Sequence, residues 1–178
     1  MIPLFLDLAA LRRRGGRQRY HFEESLKPPG VNGDAPRFLL PVTAEVEAVN
    51  TGAVILLNLE ASTAACLECS CCLAPISYPL RLSLQLACVH RDDLAQLGID
   101  PEDEREEYQI FDERPFNLGE LVLENLLLLL PMKPLCRDEC RGICPGCGQD
   151  LNEGQCRCQE PKIDPRLEVL RGLLGPTE

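Results

Sequence analysis

The chain has 178 residues, of which 45% are hydrophobic and 26% charged, and its formal net charge is −10. That length supports a real core without help from cysteines and suggests one domain, or one domain with a small appendage. The acidic balance repels phosphate backbones, and a 4% aromatic content without Trp leaves little for base stacking. Broad coating of nucleic acid is therefore disfavoured, and basic proteins are the easier partners.

The N-terminal "MIPLFLDLAALRRRGG" does not read as a secretory signal, because Asp7 interrupts the apolar run and the arginines follow it. The longest apolar run elsewhere, Leu126–Pro131, is too short to cross a bilayer. These features point to a soluble, cytoplasmic protein with no membrane partner. Arg12, Arg13, Arg14, Arg17 and Arg19 form a compact basic run. It reads either as a solvated loop or helix end, or as an RNA-contacting arm. Lys27–Arg37 is rich in Pro and Gly and predicts a loop.

The period then becomes two. Val42, Ala44, Val46 and Ala48 alternate with Thr43, Glu45 and Glu47, which predicts a half-buried strand. Asn50-Thr51-Gly52 predicts a hairpin turn into a second strand over Ala53–Glu60. Ile76, Tyr78, Leu80, Leu82, Leu84 and Leu86 share one face of a third strand, with Pro79 marking an edge position or a bulge. The expected fold class is α+β: a twisted antiparallel sheet, open or curled toward a barrel, packed on a leucine-rich helix, with a small cysteine-rich, zinc-ribbon-like C-terminal module.

Between Asp92 and Glu113 ten carboxylates face a single cation, Arg105. This segment reads as a solvated excursion or as a docking surface for a basic protein. "NLGELVLENLLLLLP" predicts a helix with Asn117 as its cap and Glu120 completing a capping box. Its leucines nearly encircle it, which predicts burial against the sheet. Asp164 and Pro165 open a short terminal helix that Gly175 stops. The domain boundary falls between a sheet domain, 1–134, and a cysteine-rich module, 135–178.

That module holds Cys136, Cys140, Cys144, Cys147, Cys156 and Cys158. Clustered thiols in a reducing compartment favour metal or redox chemistry over disulfides, and the odd total of 11 cysteines fits a disulfide framework poorly. "CPGCG", Cys144–Gly148, has the form of a zinc knuckle: two thiolates grip one ion and the turn aims N–H groups at the sulfurs. A second pair must complete the tetrahedron, either Cys156 and Cys158 or Cys136 and Cys140. One structural Zn²⁺ held by four of the six is the expectation, and a closed shell leaves no position for catalytic water. Redox catalysis wants a CxxC at a helix N-terminus after a strand, and that context is missing here. Cys66, Cys69, Cys71 and Cys72 lie at a turn between strands. They read as a second metal site, as a pair shared with the first cluster, or as partly buried hairpin thiols. Cys88 reads as packing. His21 and His90 stand near no interpretable Ser or Cys pattern, and no phosphate-binding or nucleophile-elbow motif occurs. The chain is therefore expected not to be an enzyme and to have no small-molecule substrate.

Taken together, "LFLDLAAL", "CSCCLAPI", "NLGELVLENLLLLLPMKPLC", "CRGICPGCGQDLN" with "CRC", and "IDPRLEVLRGLL" resemble the YceD family, the large ribosomal RNA subunit accumulation proteins. One departure is visible: Cys71 stands where the family's mid-chain element has Arg, and Cys66 is additional. The resemblance implies a non-enzymatic ribosome-biogenesis factor. It would support large-subunit rRNA accumulation and large-subunit assembly, meeting the precursor through a basic ribosomal protein or through rRNA. The alternative is a zinc-ribbon nucleic-acid-binding regulatory protein, which would want basic residues around the knuckle. Arg137, Arg141 and Arg157 are there, offset by Asp138, Glu139, Asp150, Glu153 and Glu160.

Overall fold

The computed structural model describes residues 4–28, 36–100, 108–158 and Arg166. The centre of the Pro- and Gly-rich loop, the acidic residues Glu102–Glu107 and, apart from Arg166, the expected terminal helix lie outside them.

The chain opens with a two-residue strand, β1 (Phe5–Leu6), and a short helix, α1 (Leu8–Arg14). Asp7 caps α1 by accepting the Ala10 N–H at 2.8 Å, and Leu8, Ala9 and Leu11 are its buried face. Gly15 and Gly16 break the basic run. Arg12–Arg14 end α1, where cations suit the helix dipole, and Arg17 and Arg19 enter strand β2 (Arg17–Glu24). This strand was not anticipated. Its outward residues Arg17, Arg19, His21 and Glu23 are charged or titratable, so its inward Tyr20 and Phe22 stand out weakly.

After β3 (Arg37–Phe38), the two long hairpin strands follow: β4 (Val42–Asn50) and β5 (Val54–Glu68), then β6 (Pro75–His90). The Asn50–Gly52 turn forms as expected, with Thr51 donating to Val54 O and Asn50 Oδ1 accepting the Gly52 N–H. Register follows the apolar pattern. Tyr20 pairs with Val46, Val46 with Leu59, and Leu59 with Leu84, so one continuous row faces the core. A single turn over Arg91–Asp93 and the short helix α2 (Leu94–Leu97) lead toward β7 (Tyr108–Phe111), which lies parallel to β6. β8 (Phe116–Asn117) pairs with β1 and runs into α3 (Leu118–Leu128).

The architecture is α+β with a strand-rich sheet and few helices, and two expectations need correction. The sheet is not closed: its order is β2-β4-β5-β6-β7, with β3 beside β5. β2 and β7 end it, so it is not a barrel. It is mixed rather than antiparallel, because the crossover after His90 is long enough to return the chain in the same direction. α3 packs on the sheet as expected, burying one face through Leu118, Val122 and Leu126, while Leu128 is 82% exposed. An open sheet covers one side of a helix and leaves the other to solvent. Asn117 does cap α3, accepting the Glu120 N–H at 3.2 Å. Pro79 sits where β6 has only β5 as a hydrogen-bonded neighbour among the described strands, which explains how a residue without an N–H is accommodated. Among the described residues no helix is long and apolar enough to cross a membrane.

Candidate metal centres

Two hydrogen-bonded turns of the same construction present the thiols. In the C-terminal one, the Gly148 N–H donates to Cys144 O and the Cys144 N–H to Gln149 O, both at 2.8 Å. Gly148 takes φ +75° to close the turn. In the turn between β5 and β6, the Leu73 N–H donates to Cys69 O and the Cys69 N–H to Ala74 O, both at 2.9 Å. Here Leu73, at φ 62°, stands where the other turn has glycine. It is the only residue other than glycine with positive φ among those described. The two CxxC turns are thus structural equivalents, although only one carries the glycine that marks a knuckle in sequence.

These turns nucleate two separate groups of four thiols, each with its sulfurs within 4.8 Å of one another: Cys69, Cys72, Cys136 and Cys140, and Cys144, Cys147, Cys156 and Cys158. All six C-terminal candidate cysteines therefore lie in a group, but not in the same one. Cys156 and Cys158 join the CPGC pair, whereas Cys136 and Cys140 turn back to the sheet. Cys66 and Cys71 belong to neither group. Cys88 is buried in the core, and burial raises its thiol to about 12.

The geometry fits metal thiolates. A Zn–S bond of about 2.3 Å sets the edge of a tetrahedron at about 3.8 Å. In the first group Cys69 Sγ lies 3.7 Å from Cys140 Sγ, and Cys72 Sγ 3.6 Å from Cys136 Sγ. Both exceed a disulfide bond by well over 1 Å, and all 11 cysteines are free thiols. N–H groups point at the sulfurs, as anionic ligands require. The Cys136 N–H donates to Cys69 Sγ, Asn152 Nδ2 to Cys140 Sγ, and the Gly146 N–H to Cys144 Sγ, each at 3.4 Å.

Crowded sulfurs divide their protons unequally. Backbone N–H groups of Cys72, Cys71 and Cys136, working against burial, hold Cys69 at about 6. The Gly146 and Cys147 N–H groups do the same for Cys144, also at about 6. Asn152 and the Gly142 N–H lower Cys140. Cys72 accepts an N–H from Ala74, which pulls it down, but burial and the neighbouring sulfurs push it up to about 12. The Cys147 and Cys144 sulfurs push Cys158 to about 12. Burial, then Cys140, raises Cys136. Four thiolates this close would repel one another, so each group keeps some of its protons unless a cation sits among the sulfurs, a position that either group could offer a metal ion.

The first group joins the β5–β6 turn to the segment beyond α3, across the expected boundary at residue 134. The Ser70 N–H donates to Pro134 O at 2.8 Å beside it. The second group is more open, with Cys147 and Cys158 exposed and Cys144 buried.

The other singled-out residues turn inward on one another. Arg12 pairs with Asp93 and Arg13 with Glu113, each at 2.8 Å, and Arg17 and Arg19 both reach Glu47. The basic run and part of the acidic segment are thus mutual partners. His90 is buried: its Nδ1 accepts the Asp92 N–H, and Phe111 packs edge-on against the ring. His21 is exposed beside Glu45.

An uncharacterized protein of Mycobacterium tuberculosis (Rv2926c) is 28% identical over 98% of this chain and 83% of its own length. The uncharacterized protein YlbN of Bacillus subtilis is 25% identical over 89% of this chain and 90% of its own. No solved structure matches the chain. The family described as "Large ribosomal RNA subunit accumulation protein YceD" matches residues 57–174, a span that takes in both thiol groups, and the chain belongs to that family.

Proposed function

We propose that this chain is a cytoplasmic, non-enzymatic ribosome-biogenesis factor that supports large-subunit rRNA accumulation and large-subunit assembly, built around two structural Zn²⁺ ions. Family membership supports the biological role. The observation that carries the structural-zinc reading is the pair of closed four-thiolate groups. A tetrahedron filled by four cysteines has no open position for water or substrate, so its ion organises the chain and does no chemistry.

A basic ribosomal protein is the better partner than bare RNA. Arg12, Arg13, Arg17 and Arg19 already face carboxylates. Each Zn(Cys)₄ centre also adds net negative charge to a chain that starts at −10, which strengthens repulsion from phosphate.

Three measurements test the reading. Elemental analysis of the purified chain should return two zinc ions per chain. Gradient sedimentation of lysate should place it with large-subunit precursors, and its loss should lower large-subunit rRNA relative to small-subunit rRNA. A chain that stays at the top of the gradient, with an unchanged rRNA ratio, defeats the biogenesis role.

A further inference from the structure

Asn152 lies in the loop between Cys147 and Cys156, which the second group closes, yet its amide serves the first. Nδ2 donates to Cys140 Sγ at 3.4 Å. The amide is held from both sides: Oδ1 accepts the Arg141 N–H at 2.9 Å, and Asp150 Oδ1 accepts the Asn152 N–H and Nδ2, each at 2.7 Å. Asp150 is bridged to Ile143, next to Cys144. The Leu151 N–H donates to Gly142 O at 2.8 Å, midway between Cys140 and Cys144. A donor to the first group's sulfur is therefore built on a loop whose ends are fixed by the second group's ligands.

We infer that the two centres bind metal cooperatively, with Asn152 as the positioning residue that couples them. The inference rests on the reading that both groups hold metal. An ion at Cys144, Cys147, Cys156 and Cys158 orders the loop, so the Asn152 donor meets Cys140 without a further loss of conformational freedom. Binding at the first group then tightens. Linkage makes the effect reciprocal: an ion on Cys140 fixes Asn152 and favours closure of the second group by the same factor. Donors to ligating atoms typically change metal affinity by about 10-fold or more, which sets the expected coupling.

The test uses the full chain and Co²⁺ alone as probe, read through its thiolate charge-transfer absorption. Cys147→Ser with Cys158→Ser disables the second group. The first group's affinity should fall about 10-fold in that variant and about 10-fold in Asn152→Ala. Combining the changes should produce no further fall, because Asn152 has already lost its support. Asn152→Asp removes the donor and adds a carboxylate beside Cys140 Sγ and Asp150 Oδ1, so its affinity should fall at least as far as that of Asn152→Ala. Unchanged affinity in the disabled chain, or penalties that add, overturns the coupling. If the disabled chain misfolds by far-UV circular dichroism, the reciprocal pair Cys69→Ser with Cys72→Ser serves. It reads the second group with and without Asn152→Ala, and the same non-additivity decides. Independent tight binding at both groups removes the coupling alone, whereas absence of Co²⁺ binding at either removes the metal reading beneath it.

Discussion

Leu73 offers the sharpest test of the equivalence between the two CxxC turns. Its left-handed backbone, φ 62°, costs an L-residue about 1–2 kcal/mol, which glycine would not incur. The side chain is 60% exposed, so truncation forfeits only part of the ~1.5–3 kcal/mol that full leucine burial contributes. About 1 kcal/mol is the resulting loss of burial, and glycine's greater unfolded-state freedom removes a further ~0.5–1 kcal/mol. Gain and loss nearly cancel, so Leu73→Gly should leave stability within about 1 kcal/mol of the parent and retain both ions. Leu73→Val keeps most of the apolar surface but is β-branched, a true outlier at this backbone position, and should lose at least ~1 kcal/mol. Denaturant midpoints of the zinc-loaded proteins, with zinc release to a chelator followed in parallel, measure both. If Leu73→Gly loses more than ~2 kcal/mol while Leu73→Val is neutral, side-chain packing governs the turn and the reasoning fails.

Gly142→Ala should destabilise by at least ~1–2 kcal/mol, because Gly142 has φ +71° and a Cβ there would lie 3.1 Å from the Cys71 carbonyl oxygen; thermal unfolding reads the loss. Leu126→Ala should cost about 2–5 kcal/mol, since Leu126 is fully buried. Leu128→Ala, on the exposed face of the same helix, should stay within about 0.5 kcal/mol, and equal costs would contradict one-sided burial of α3. Metal affinity should rise with pH through the neutral range, because Cys72 and Cys158, both about 12 without metal, must give up protons to bind. Below about 6 the dependence should steepen as Cys69 and Cys144 also hold protons; calorimetry in buffers of differing ionisation enthalpy counts them, and a flat profile refutes the assignment. A double-mutant cycle on Arg12 and Asp93 should return no more than about 1 kcal/mol, since the pair is only partly withdrawn from water.

The strands that pack on the core were legible because their side chains alternate cleanly, as in Val42–Ala48 and Ile76–Leu86. β2 escaped because an edge strand with Arg17, Arg19, His21 and Glu23 outward resembles a charged loop. β7 escaped because four residues inside an acidic segment carry too little period to read. The CPGCG knuckle was legible through its glycine. Its counterpart at Cys69–Leu73 was not, because leucine there hides the same backbone. Nor could spacing alone pair Cys136 and Cys140 with thiols 64–71 residues away: that contact depends on α3 and the hairpin returning to one place, a property of the fold and not of the local sequence.

The distance along the chain between the two halves of the first group has a temporal consequence. At about 5–20 residues per second, synthesis from Cys72 to Cys140 takes roughly 3–14 seconds. During that interval the hairpin tip is already made while its matching sulfurs are not. Cys69, ionised near neutral pH in the finished fold, waits with Cys72 as a half-built socket on the nascent polypeptide. The sheet can form in that time, but the seal at its tip closes only after translation has passed α3.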